Sequence, residues 1–250
     1  MSTFVVIRFI LHKKLRMGKE TSNRIQTSLL NAMEKKVLIW MAERQPLWMT
    51  SDTLTYIGLL GAVICGLGFA LAHIDKNYLW ISSLGLVINW YGDSLDGTLA
   101  RVRHTQRPVY GFFIDHTLDA VTICIMCIGA GISPMFRLDV AMLVLAGYLV
   151  LSIYTYISTI IKDEFRLTYG SFGPTEFRLV VILINTVFMY TPLSSTIYTI
   201  AGQTLGIFDI VGLLIALFLF GAWLSQFLID RRILSERDPL KPYNPGKKED

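Results

Sequence analysis

Charge is scarce in this chain. Only 17% of its 250 residues are Asp, Glu, Lys or Arg, against about a quarter in a typical soluble domain. With 53% hydrophobic residues and a mean hydropathy of +0.50, that shortfall excludes a disordered chain and an ordinary cytosolic enzyme. Cysteine is almost missing. The three present, Cys65, Cys124 and Cys127, sit inside apolar stretches, which excludes a disulfide framework or a zinc ribbon. Among the four histidines, His104 and His116 lie close together but form no recognisable zinc spacing. There is no internal repeat and no low-complexity region. The net charge is a mild +4, with the basic residues near the ends of apolar runs. That arrangement suits an anionic membrane surface and argues against a nucleic-acid partner.

What is present is long apolar runs. A bilayer core of about 30 Å needs roughly 20 mostly apolar residues per helix. Six runs meet or approach this length: about Asp52 to Ala72, Tyr78 to Ala100, Gly111 to Ile132, Asp139 to Ile161, Thr175 to Tyr190, and Gly206 to Ile229. The fifth is short, and the weakly polar stretch to Leu205 either extends it or forms a loop. The expected fold class is all-α, a polytopic membrane protein. Its domains read as an N-terminal segment 1–51, a six-helix transmembrane domain 52–229 and a tail 230–250.

Charge supplies an independent check, because it was not used to place the spans. Nine Lys or Arg precede the first span, three lie between spans two and three, three between four and five, and six follow span six. Only Lys76 and Arg137 fall on the opposite side. Both termini are therefore expected to be cytoplasmic, in the plasma (inner) membrane if the source is bacterial.

The first fifty residues lack a signal-peptide pattern, since the apolar piece Phe4 to Leu11 is broken by Arg8 and runs into His12-Lys13-Lys14. Ser22 reads as the cap of a helix in which Ile25, Leu29, Met33, Val37, Trp40 and Met41 recur at spacings of three or four, ending near Pro46. Lys35, Lys36 and Arg44 occupy other faces. This predicts an amphipathic helix lying in the membrane interface. The tail from Asp238, with Pro239, Pro242 and Pro245, reads as solvated.

Acidic residues inside a span are costly and usually functional. Asp93 and Asp96 are three apart near the cytoplasmic end of span two, and Asp115 and Asp119 are four apart at the start of span three. Each pair shares a helical face, and an antiparallel return points both pairs at one spot. Four carboxylates so gathered repel one another. A hard divalent cation held by oxygen ligands, Mg²⁺ or Mn²⁺, answers that repulsion. The plainer alternative is an ion-pair network with Arg101, Arg103 and Arg107. Gly97, Ala100 and Gly111 leave room for a ligand beside the carboxylates, although small residues also serve close helix packing. Arg101, at the edge of this cavity, suits a phosphate.

The pattern Asp93-x2-Asp96-Gly97-x2-Ala100-Arg101, nine residues, then Gly111-x3-Asp115-x3-Asp119 resembles the signature of the CDP-alcohol phosphotransferases at eight fixed positions. The nine-residue gap is at the longer end of the family pattern. The six-helix count and the amphipathic N-terminal helix are similar too. The resemblance implies that Asp93, Asp96, Asp115 and Asp119 hold metal ions, with Asp119 as general base toward the acceptor alcohol. It implies attack on the β-phosphorus of a CDP-alcohol with release of CMP, in phospholipid synthesis. It further implies nucleotide binding by Gly97 and Arg101, with Gly111 beside them. The Asp52 to Thr55 stretch, through Asp52 and Thr55, resembles the part that contacts cytidine, although it reads equally as a helix N-cap. In phosphatidylinositol-type members a lysine and an arginine shape the acceptor pocket, and Lys162 and Arg178 stand at comparable places. Their alternative is ordinary flanking charge.

The favoured donor is CDP-diacylglycerol with a small polyol or polyol-phosphate acceptor. The Asp115-His116-Thr117-Leu118-Asp119 run looks closer to the choline/ethanolamine branch, which uses a CDP-amino alcohol and diacylglycerol. Family members are commonly homodimers, so a homodimer is expected. Two other classes were weighed. Intramembrane prenyl transfer needs two distant aspartate-rich motifs, and a non-enzymatic divalent-cation transporter would carry acids near mid-membrane on several helices.

Overall fold

The computed structural model describes residues 24–25, 31–162, 165–166, 174–191, 197–200 and 203–240. Its helices are α1 (Asn31–Glu43), α2 (Ser51–Leu71), α3 (Leu79–Val102), α4 (Pro108–Ile132), α5 (Leu138–Lys162), α6 (Pro174–Tyr190) and α7 (Ile207–Arg237). Four of them, α2, α4, α5 and α7, are long and apolar enough to cross a membrane. The protein is an all-α membrane protein. The other three fall short for different reasons: α1 has only 13 residues, α3 spends part of its length on Asn89, Asp93, Asp96 and Arg101, and α6 has only 17 residues.

Local chemistry sets the helix ends. Thr50, rather than Asp52, caps α2: its Oγ1 accepts from the Thr53 N–H at 3.1 Å. Pro108 occupies the first turn of α4, where no N–H is needed. At the end of α3, His104 adopts a left-handed φ of 55°. The Thr105 N–H then reaches back to the Ala100 carbonyl at 2.9 Å, which turns the chain toward α4. At the other end of the bundle, Asp209 in the first turn of α7 accepts from the backbone N–H groups of Gly206 (2.8 Å) and Arg137 (2.7 Å). This joins the α5 and α7 starts.

The tightest packing is between α2 and α3. Gly61, Gly85 and Gly92 have no space for a side chain, because a Cβ on any of them would stand under 3.0 Å from the partner helix's backbone. Gly129 of α4 meets Gly66 of α2 in the same way. Such small-residue seams let helix backbones touch where no hydrophobic effect drives them together. α4 packs on α2 and α5, α6 on α3, and α7 on α5.

Three features add to the sequence reading or depart from it. The described part of the N-terminal helix begins at Asn31, and Ser22, read as its cap, lies outside the described residues. Arg24–Ile25 instead pairs in parallel with Phe165–Arg166 as a short two-stranded sheet, β1 and β2. Second, α1 buries Leu38 and Ala42 against Leu54, Leu95 and Leu99, while Met33, Val37 and Trp40 stay exposed. The apolar face that the sequence reading assigned to lipid, at Met33, Val37 and Trp40, thus points away from the bundle. Third, part of the stretch after α6 forms a hairpin, β3 (Ile197–Ile200) and β4 (Gln203–Gly206), and α7 continues to Arg237, eight residues past Ile229.

Candidate active site

The α2–α3 seam and the α3–α4 turn assemble the acidic site. Asp93 and Asp96 lie in the last turns of α3, and Asp115 and Asp119 in the first turns of α4. A small cleft between α2, α3 and α4 is lined by Thr55, Gly58, Asn89, Asp93, Asp115 and Asp119. Asp96 sits at its edge, 9% exposed. Its Oδ2 accepts from the Thr55 hydroxyl at 2.7 Å, and its backbone carbonyl accepts from the Ser51 hydroxyl at 3.0 Å. Asp119 stands within electrostatic reach of Asp93, Asp115 and Asp96, and of the Arg178 guanidinium.

The four carboxylates differ in their partners. Asp93 is engaged by Arg178 of α6: Nη2 donates to Asp93 Oδ2 at 2.5 Å, and Nε donates to Asn89 Oδ1 at 3.0 Å. Asn89 in turn donates to the Gly58 carbonyl at 3.0 Å, so α2, α3 and α6 meet at one amide. The remaining Arg178 nitrogen, Nη1, is buried with no hydrogen-bond partner among the described residues. Asp115 and Asp119 form a group with His116, their ligand-type atoms all within 4.8 Å of one another. His116 Nδ1 lies 3.5 Å from Asp115 Oδ2, and the ring stacks on Tyr156 of α5 with centroids 4.5 Å apart.

The glycines of the motif face open space. A Cβ on Gly97 would meet only Arg101 Nη1, at 3.5 Å, and one on Gly111 nothing within 4 Å. Arg101 is exposed at the cleft rim and donates from Nη2 to the Thr98 hydroxyl at 2.9 Å. Asp52 is engaged elsewhere: Arg107 of the α3–α4 turn donates to its Oδ1, and the same guanidinium lies 4.0 Å over the Tyr110 ring. Lys162 ends α5, and its side chain lies outside the described residues. Next to the site, an open, largely apolar groove of about 640 Å³ runs between α4 and α5 past Phe112, Phe113, His116 and Tyr156.

Sequence reasoning passed over three residues here. His116 was set aside for lack of a zinc pattern, although it adjoins Asp115 and lies three residues before Asp119. Asn89 precedes Asp93 by one turn and so shares its face. Arg103, read as flanking charge or as an ion-pair partner of the aspartates, instead donates to the carbonyls of Gln45 (2.8 Å), Pro46 (2.9 Å) and Met49 (2.5 Å). It holds the α1–α2 link against the end of α3.

The family model for CDP-alcohol phosphatidyltransferase matches residues 48–227, which span α2 to α7 and contain the entire cleft. The chain belongs to that family. Among similar proteins, Cholinephosphotransferase 1 of Danio rerio is 26% identical over 205 residues, covering 76% of this chain and 51% of that protein. Cholinephosphotransferase 1 of Mus musculus is 24% identical over 157 residues, 58% of this chain and 38% of that protein. A shorter match, 38% identical over 73 residues, covers 28% of this chain and 32% of the Phosphatidylinositol phosphate synthase of Cutibacterium acnes (strain DSM 16379 / KPA171202). The chain thus spans about half the length, or less, of the curated relatives it matches.

Proposed function

We propose that this protein transfers a substituted phosphate from a CDP-alcohol to an acceptor alcohol and releases CMP, in phospholipid synthesis. The favoured donor is CDP-diacylglycerol and the favoured acceptor a small polyol or polyol phosphate. The observation that carries the acceptor choice is Arg178, which holds Asp93 and Asn89 with two nitrogens and keeps a third buried and unpartnered beside the carboxylates. A buried N–H without an acceptor is costly, and an anionic oxygen of the acceptor satisfies it. Lys162, at the end of α5, is proposed as a second acceptor residue on the family resemblance alone.

The donor set fits a hard cation. Carboxylate oxygens from two helices converge with no cysteine among them, which suits Mg²⁺ or Mn²⁺ held by Asp93, Asp96, Asp115 and Asp119. When bound, such ions neutralise charge on the diphosphate. The residues of the chain do the rest. Arg101 and the open backbone at Gly97 and Gly111 receive the diphosphate, with Asp52 and Thr55 toward the cytidine. Asp119 takes the hydroxyl proton of the acceptor. The freed oxygen forms a bond to the β-phosphorus as the bond from that phosphorus to the bridging oxygen breaks, and CMP leaves with that oxygen. Thr55 keeps Asp96 oriented, and Arg178 holds the acceptor side of the cleft.

The helices α3 and α6 cross the membrane together with the four more apolar ones. Helix α1 lies in the interface with Met33, Val37 and Trp40 toward lipid. Both termini and the cleft face the cytoplasm, and the protein works as a homodimer. The cholinephosphotransferases among the relatives favour a second reading, a CDP-choline or CDP-ethanolamine donor with diacylglycerol acceptor at the same carboxylates.

The deciding experiment is CMP release by protein in lipid nanodiscs with Mn²⁺ or Mg²⁺. CDP-diacylglycerol is crossed with inositol, inositol phosphate and glycerol phosphate, and CDP-choline and CDP-ethanolamine with diacylglycerol. Asp119→Asn is the control. Release from CDP-diacylglycerol alone supports the favoured reading, and release from the amino-alcohol donors alone moves the protein to the second. If no pair exceeds the control, the catalytic reading fails.

A further inference from the structure

We propose that Glu34, on the N-terminal helix and outside the acidic motif, is a positioning residue that fixes α6 against α3 and so places Arg178 for the acceptor. The inference rests on the acceptor reading of Arg178 above. One oxygen of Glu34, Oε1, accepts two hydrogen bonds: from Trp90 Nε1 of α3 at 2.8 Å and from the Thr175 hydroxyl of α6 at 2.6 Å. Trp90 lies three residues before Asp93, and Thr175 three residues before Arg178, so each donor is about one helical turn from the Arg178–Asp93 contact. The Glu34 bridge and the Arg178–Asp93 pair are therefore successive rungs between the same two helices.

The two rungs have different fates during turnover. Asp93 is a candidate cation ligand, so its hold on Arg178 weakens when its oxygens are used elsewhere. Glu34 takes no part in that exchange, and its rung persists. Helix α3 is itself fixed by the glycine seam with α2, whereas α6 joins α3 through side chains: Phe188 and Met189 share an apolar cluster with Leu79 and Leu86 toward the far end, and Asn185 reaches Ser83 at 3.1 Å. Loss of the Glu34 rung thus displaces what α6 carries and leaves the carboxylates of α3 and α4 in place. Both donors to Glu34 are neutral, so a carbonyl oxygen serves as well as a carboxylate.

The test compares Glu34→Ala with Glu34→Gln in nanodiscs. For Glu34→Ala the acceptor KM is expected to rise about tenfold while kcat and donor KM stay within about twofold. Glu34→Gln, which keeps the accepting oxygen, is expected to match the wild type. Amide hydrogen exchange of α6 supplies a readout without substrate: protection of the Thr175 to Val180 amides falls about tenfold in Glu34→Ala and is retained in Glu34→Gln. Unchanged α6 protection in Glu34→Ala overturns the proposal. So does equal impairment of the Gln variant, or a loss shared by donor and acceptor KM. If the wild type releases no CMP from any pair and α6 still loosens only in the Ala variant, the positioning role stands and the catalytic reading falls.

Discussion

Two sets of glycines in this protein look alike in sequence and do opposite things. Gly61, Gly85 and Gly92 lie in the α2–α3 seam, where a Cβ would press into the partner backbone. Gly97, only five residues beyond Gly92 on the same helix, and Gly111 on α4 open onto space beside the carboxylates. The first set brings helices together, and the second leaves open space beside Asp96 and one turn before Asp115. One helix, α3, therefore changes from a packed surface to an open one within about a turn and a half. The rigidity of the seam is what allows the charged end to be held near its partners, since four carboxylates at one place push the helices apart.

Breaking the chemical end should give the largest effect. Asp119→Asn is expected to lower CMP release by about a thousandfold while leaving thermal unfolding at or above the wild-type temperature, because one repelling charge is gone. Breaking the seam should act on stability instead. Gly85→Leu is expected to cost about 3 kcal/mol or prevent folding, read by thermal unfolding in nanodiscs. Gly111→Leu, with no atom within 4 Å of its Cβ position, should stay within about 0.5 kcal/mol of wild type yet raise the donor KM. If Gly111→Leu unfolds the protein, the division between the two glycine sets is wrong.

Smaller changes sharpen the division. Arg178→Gln should cost about 2 kcal/mol in EDTA, leaving Asp93 without its partner in a half-buried setting. That loss should shrink in saturating Mn²⁺, which takes over the neutralising role. An equal loss in both conditions would mean that arginine and cation do not share Asp93. Thr55→Val removes the 2.7 Å hydrogen bond to Asp96 and should cost about 1 kcal/mol, with Thr55→Ser close to wild type.

Helix boundaries were largely readable from the chain. The first five apolar runs begin and end within three residues of α2 to α6, because burial in lipid and capping are local demands written into consecutive residues. The Asp pairs were readable for the same reason, as spacings of three and four put them on shared faces. Partner choice was not. Nothing local says that Arg178 reaches Asp93 across 85 residues, that Arg107 takes Asp52, or that α1 packs Leu38 and Ala42 on Leu54, Leu95 and Leu99. The residues 22–30 read as helix, yet at Arg24–Ile25 a contact with a distant strand prevailed over the local periodicity.

The sequence alone determined an all-α membrane protein, the two carboxylate pairs with their glycines, and the family resemblance that those offsets carry. These depend on one helix at a time, through residues per turn and apolar length. The tertiary structure decided which carboxylate is paired, which glycine is packed or open, that Asn89 and His116 stand at the site, and that Glu34 bridges α3 and α6. Those outcomes depend on the register between helices, and that register is set by backbone contact at the α2–α3 seam rather than by any one segment's own preferences.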